Sequence, residues 1–245
     1  MAEKQEYLEI SVWRGNAEGG EYQTFEVPQY ESQTVLDVVS WIQQNADPTL
    51  TYRFACRVGM CGSCAMMVNG APRWTCRTHV KKVQGKARKV TIAPLRNLPV
   101  IKDLAADMAP FFDKWVKAGG RHQPSASRHD PIVQVKPEGK ERSAANAGIE
   151  CINCSVCYSA CDTVTANPEY LGPAALQRAW TIVNDEKHGN REGVLDAVSK
   201  SGGCHNCHSM GSCTFHCPNG LDPMGAIANL KRLTARNAFK RGRDA

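Results

Sequence analysis

Three groups of cysteines dominate the chemistry open to this chain. Cys56, Cys61 and Cys64 stand at C-x4-C-x2-C with Cys76 downstream, the plant-type spacing that ligates a 2Fe-2S cluster. Four thiolates must converge on two irons, and Gly59 and Gly62 permit a tight loop whose amides can point at sulfur. Zinc typically takes two short cysteine pairs across a longer spacer, a pattern this run fits poorly. Cys151, Cys154, Cys157 and Cys161 follow as C-x2-C-x2-C-x3-C, the bacterial ferredoxin spacing in which the fourth cysteine serves the neighbouring cluster. The last group repeats that pattern as C-x2-M-x2-C-x3-C-P over Cys207, Met210, Cys213, Cys217 and Pro218. Met210 stands where the second cysteine would be.

Cross-ligation then assigns Cys151, Cys154, Cys157 and Cys217 to a 4Fe-4S cluster. Cys161, Cys207 and Cys213 are left with three thiolates for the next cluster, so 3Fe-4S is expected there. Three one-electron stations make a linear wire, and a wire needs a donor and an acceptor. Cys204 forms a further C-x2-C with Cys207. It is either a spare thiol beside the site or a replacement for the ligand missing at Met210.

The elements around the first group read as a small α+β domain. Residues 7–13, YLEISVW, form a strand pattern that residues 24–27 can pair with across a Gly19-Gly20 turn. Ser32 is the expected N-cap of a helix carrying Val35, Leu36, Val38, Val39 and Ile42, with Asp47-Pro48 as its stop. A cysteine loop, a hairpin turning at Asn69-Gly70 and a strand at Lys89–Ala93 complete the unit. VIKDLAADMAPFFDKWVKA has helical spacing and leads out of it, and residues 119–148 read as a long surface connection containing Pro124, Pro131 and Pro137. Beyond it the pattern is helical, clearest at Pro173–Val183 and residues 223–239.

Composition narrows the classes. Twelve cysteines in a chain opening MAEKQEYLEI, without the basic-then-apolar pattern of a signal peptide, are expected to stay reduced. No uninterrupted apolar run approaches the roughly 18 residues a membrane span needs. The net charge of +6 gathers in residues 81–89 and in Lys231, Arg232, Arg236, Lys240, Arg241 and Arg243. The first run reads as a solvated face; the second suits a solvated helix, anionic lipid or an acidic partner. Neither interleaves aromatics, which argues against nucleic acid. His122, His129 and His188 lie in polar stretches and read as solvated. No dinucleotide fingerprint and no Ser-His-Asp set is present, so substrate chemistry belongs elsewhere.

CRVGMCGSCAMMVNG, LPVIKDLAADM, CINCSVCYSAC, NPEYLGPAAL and CHSMGSCTFHCPNGLDP together resemble the iron-sulfur subunit of the succinate dehydrogenase and fumarate reductase family over nearly the whole chain. The resemblance implies an N-terminal β-grasp 2Fe-2S ferredoxin-like domain at 1–105, a connecting helix and linker at 106–148, and a mostly α-helical bacterial-ferredoxin-like domain at 149–245. It implies a flavoprotein partner with covalent FAD, a membrane anchor that bears the quinone site and in some cases haem b, and a peripheral place on the cytoplasmic face of the inner membrane. Within the family the 2Fe-2S cluster faces the flavin and the 3Fe-4S cluster faces the quinone. The quinone-proximal positions carried over are Asp162, Thr163, Ala166 and His208. Two depart from the common pattern: Asp162 stands in place of a proline, and Ala166 in place of a tryptophan that binds ubiquinone in many relatives. His208 suits proton delivery or a haem propionate, or it is a surface histidine without a role. The alternative function is a free multi-cluster ferredoxin, which would lack apolar patches around its terminal clusters. A structural zinc module would have no reducible centre.

Overall fold

The computed structural model describes residues 5–241, so Arg243 of the basic tail and the first four residues lie outside the described part. Residues up to Met108, together with Ile152–Ala160, form one compact unit; Ala109–Cys151 and the chain from Cys161 onward form a second.

The core of the first unit is a five-stranded mixed sheet packed against the helix Val35–Asn45. Its strands are β1 (Tyr7–Asn16), β2 (Gly19–Pro28), β3 (Ala65–Val68), β4 (Ala71–Trp74) and β5 (Lys89–Ala93), in the order β2-β1-β5-β3-β4. Alternation along β1 puts Leu8, Ile10 and Val12 wholly inside, each side chain stabilising the fold by about 1.5–3 kcal/mol through burial. Asn16 pairs with Gly19, so the β1–β2 turn is Ala17-Glu18 and the two glycines begin β2. The helix Val35–Asn45 lays Val35, Val38, Val39 and Ile42 into the same core. Its N-cap is Thr34, whose hydroxyl accepts from Asp37 N while Thr34 N donates to the Asp37 carboxylate. Ser32, expected in that role, is in the left-handed region at φ 58° and lies in the turn before the helix.

The stretch expected to be helical from residue 100 first makes a two-stranded ribbon, β6 (Val100–Lys102) and β7 (Ala105–Ala106), and becomes helix only at Ala109–Lys117. Asp103 at its turn is 2 % exposed. Its carboxylate accepts from Gly15 N at 3.1 Å and Thr51 N at 2.9 Å and faces Arg14 Nε at 3.1 Å. Arg14 also reaches Asp47 at 2.5 Å. This network ties β1 to the segment that enters the first cysteine loop. Thr49, donating through its hydroxyl and amide, and then Arg14 hold the Asp47 carboxyl down to about 2. A group held below its ordinary 3.8 stabilises the fold fully above that value and loses the contribution as the pH falls through its folded value. Asp47→Asn should therefore cost about 1 kcal/mol at neutral pH, the exposed side of the site screening part of the interaction. Denaturant unfolding should find that cost constant from about pH 8 to 5 and shrinking below about pH 4.

In the second unit the helices Pro173–Val183, Arg191–Ser199 and Pro223–Arg241 surround a core of Leu176, Ile182, Leu195, Val198, Ile227 and Leu230. The expected long connection contains a helix, Lys140–Ile149, that buries only Ala145 and Gly148. Arg142 adds ion pairs to Asp185 and Glu186. His188 is 8 % exposed rather than solvated, because its Nδ1 accepts from Gln123 N at 3.1 Å and holds the preceding segment in place. No helix among the described residues is long and apolar enough to cross a membrane.

Candidate metal centres

The first thiol set is assembled by the hairpin β3–β4. Its two-residue turn, Asn69-Gly70, has φ of 50° and 75°, the left-handed pair that a tight hairpin requires. Closing the hairpin pairs Ala65 with Trp74. Thr75 N and Oγ1 then both donate to Cys64 O, at 3.3 and 2.7 Å. Cys64 and Cys76 are thereby neighbours, 2 % and 6 % exposed. The loop before β3 wraps Cys56 so that Met60 N and Cys61 N donate to its Sγ at 3.2 and 3.3 Å. The Ser63 hydroxyl, 3.0 Å from Cys61 Sγ, leads in holding that thiol down to about 6. Burial, and then the neighbouring Cys64, push the Cys76 thiol up to about 11.

These features fit an iron-sulfur group. Buried thiols crowded together become thiolates only beside a compensating cation. Amides aimed at sulfur stabilise the negative charge that ligation leaves on it.

The third thiol set is equally convergent. Cys161, Cys207 and Cys213 line one cavity together with Asp162, Thr163, Tyr170, His208 and Met210. Ser209 N donates to Cys207 Sγ at 3.3 Å, and burial pushes the Cys213 thiol up to about 11. Of the positions carried over from the family, Asp162, Thr163 and His208 reach the cavity; Ala166 is exposed and is not part of its lining. Cys204 is wholly buried, with its sulfur 3.7 Å from Thr234 Oγ1, and does not line this cavity.

For the remaining set, Cys154 and Cys157 belong to the first unit and Cys151 and Cys217 to the second. Within the first, Asn97 Nδ2 and Arg96 Nε donate to Tyr158 O and Ser159 O at 2.9 and 3.2 Å and anchor the segment that bears Cys154 and Cys157. Within the second, Asn219 Nδ2 donates to Glu150 O at 2.6 Å, tying the approach to Cys151 to the chain just after Cys217.

Two residues at the third set escaped sequence reasoning. Tyr170 is 1 % exposed, and its hydroxyl, hydrogen-bonded to Cys207, is pushed up by burial and then by the negative charge of the cysteines. Lys231, grouped by sequence with a basic run, donates from Nζ to Cys207 O at 2.5 Å. The only available signals were a tyrosine in an apolar stretch and a lysine on a helix.

A 2Fe-2S iron-sulfur cluster binding domain matches residues 9–113 and a 4Fe-4S dicluster domain matches residues 150–222. The fumarate reductase iron-sulfur subunit of Mycobacterium tuberculosis is 34% identical over 240 residues, 96% of this chain and 94% of its own length. That of Haemophilus influenzae is 32% identical, with 87% and 86% covered. The succinate dehydrogenase iron-sulfur subunit of Paracoccus denitrificans is 34% identical, with 81% and 75% covered. In fold, a chain of the Mycobacterium smegmatis Sdh1 complex superposes with a TM-score of 0.85 at 24% identity, covering 96% of this chain and 98% of its own. Identity at this level over most of the length of such relatives means that the chain belongs to the family of iron-sulfur subunits of succinate dehydrogenase and fumarate reductase.

Proposed function

We propose that this chain carries single electrons between a flavoprotein that oxidises succinate or reduces fumarate and a quinone at a membrane. Cys56, Cys61, Cys64 and Cys76 hold a 2Fe-2S cluster, Cys151, Cys154, Cys157 and Cys217 a 4Fe-4S cluster, and Cys161, Cys207 and Cys213 a 3Fe-4S cluster. The clusters supply one-electron redox chemistry; the protein positions them, tunes their charge and keeps them apart from the dicarboxylate. The observation that carries the reading is an exposed apolar rim at each terminal set. Phe54, Val58 and Met60 flank the first at 40%, 58% and 70% exposure, and Met210 and Phe215 flank the third at 64% and 84%. Side chains of this kind are hidden by docking, and a freely diffusing carrier would keep them in water.

The first rim suits the flavoprotein with its FAD and the second an anchor that bears the quinone site, and haem b where the anchor carries it. Attachment to the cytoplasmic face of the inner membrane then runs through that anchor. His208 and Asp162, both exposed and both lining the third cavity, would exchange the protons that quinone reduction consumes.

The test uses the intact complex with its flavoprotein and anchor. Parental complex should pass electrons from succinate to an artificial dye and to quinone. His208→Ala and Asp162→Asn should slow the quinone rate by roughly 100-fold and leave the dye rate unchanged at full iron content. Parental quinone rates in both variants would remove the proton roles, and absence of succinate-dye turnover in the parental complex would remove the reading itself.

A further inference from the structure

Gly62 lies between the first-set cysteines Cys61 and Cys64, buried and at φ +70°. A Cβ placed on it would stand 2.4 Å from Cys154 Cβ, 2.9 Å from Cys154 Cα and 3.4 Å from Ile152 Cδ1. Both sides of this contact belong to the first unit, and the Cys154 side is anchored through Tyr158 O and Ser159 O. The main chain between two ligands of one thiol set is therefore packed against a ligand of the next. A single added carbon would force one of the two cysteine loops to move.

We propose that Gly62 is a positioning residue for electron transfer between the first and second clusters: its bare main chain seats against Cys154 and fixes the gap the electron crosses. The inference rests on the ligand sets given above and deepens that reading. One electron passes without a proton, and no covalent bond is made or broken. In succinate oxidation the irons on the Cys61–Cys64 side are oxidised by one electron and those on the Cys154 side reduced by one; fumarate reduction runs the reverse.

Turn geometry alone does not account for the glycine. Gly59 in the same loop has φ +76°, yet the nearest atoms a Cβ there would meet belong to the flexible Arg77 side chain, with Cγ at 3.0 Å. The two positions impose the same backbone strain on any replacement. At Gly62 alone of the two, the nearest neighbour is a residue of the second set.

Gly62→Ala and Gly59→Ala in the intact complex separate strain from contact. Iron and sulfide are counted first, and the parental sample must show separate first and second centres; if it does not, the ligand sets fail before the inference is reached. With both centres reduced, their magnetic coupling is read from the relaxation of the first centre's resonance, and reoxidation of that centre is timed after rapid reduction. Gly62→Ala should lose coupling and slow that reoxidation, whereas Gly59→Ala, which strains the same loop beside Cys76 but leaves the contact with Cys154 in place, should keep the coupling at its parental value. Equal behaviour of the two variants at full iron content overturns the proposal. Should Gly62→Ala fail to load iron, the same measurements are made on Asn97→Ala, which loosens the Cys154 segment without altering the loop. Weakened coupling there supports the proposal, and parental coupling overturns it.

Discussion

Met210→Cys is expected to add one iron to the cluster held by Cys161, Cys207 and Cys213. The two cysteine runs share a backbone as well as a spacing. Asn153 and Ser155 flank Cys154 at φ 56° and 60°, and Ser209 and Gly211 flank Met210 at φ 57° and 80°. Each run then enters a one-turn helix, Val156–Ser159 or Ser212–Phe215. Those turns close with matching bonds, Ser159 N to Ser155 O at 2.9 Å and Phe215 N to Gly211 O at 3.0 Å. Met210 thus holds the conformational place of Cys154, and it lines the cavity with the three thiols. A thioether gives iron no anionic sulfur; a thiolate at the same place completes four ligands. In the purified complex, the resonance of the oxidised three-iron centre should vanish, and a reduced four-iron resonance and one further iron per chain should replace it. Quinone turnover should fall with the change in potential, while dye turnover upstream persists. A variant that keeps the three-iron resonance would show that Met210 is out of register, and a parental protein with two four-iron centres would promote Cys204 to ligand.

The cysteine runs were legible because spacing within each run is local: a few intervening residues fix which neighbouring sulfurs can meet. The sheet was legible for a similar reason, since Leu8, Ile10 and Val12 alternate and Asn69-Gly70 demands its turn. What escaped depended on partners distant in sequence. The ribbon β6–β7 is stabilised by Asp103 bonding Gly15 and Thr51, which no window around residue 103 contains. Helix Lys140–Ile149 buries small residues, so it lacks the large apolar periodicity that marks a helix. His188 has a polar sequence neighbourhood and a buried place, and Tyr170 and Lys231 reach Cys207 from elements far along the chain. The segment Ile152–Ala160 packs with the first unit through Arg96 and Asn97, although its spacing groups it with residues 149–245.

Stripping iron from the protein should release the cysteine loops while sparing the two hydrophobic cores. Helices Val156–Ser159, Asp162–Ala166 and Ser212–Phe215 are one turn long, too short to persist on backbone bonds alone. Arg57, Asn153, Ser155 and Ser209 hold left-handed conformations without being glycine, each costing on the order of 1 kcal/mol or more. Cys64, Cys76 and Cys213 are buried thiols whose ordering is favoured chiefly by ligation. With iron bound, the binding free energy offsets these terms and is itself folding energy. Without it, a few anchors remain to oppose them, chiefly the bonds from Thr75, Arg96 and Asn97. The β1 positions Leu8, Ile10 and Val12 and the helical positions Leu176, Ile182 and Ile227 face no such dependence, since each is 2 % exposed or less within apolar surroundings. Amide hydrogen exchange before and after chelation reads the difference directly. Protection across residues 56–64, 151–161 and 204–217 should fall to an opening free energy of about 0, while amides of β1, β5 and helix Pro173–Val183 stay protected. Retained protection in the loops after complete iron loss would mean that side-chain packing, rather than the thiolates, builds these sites.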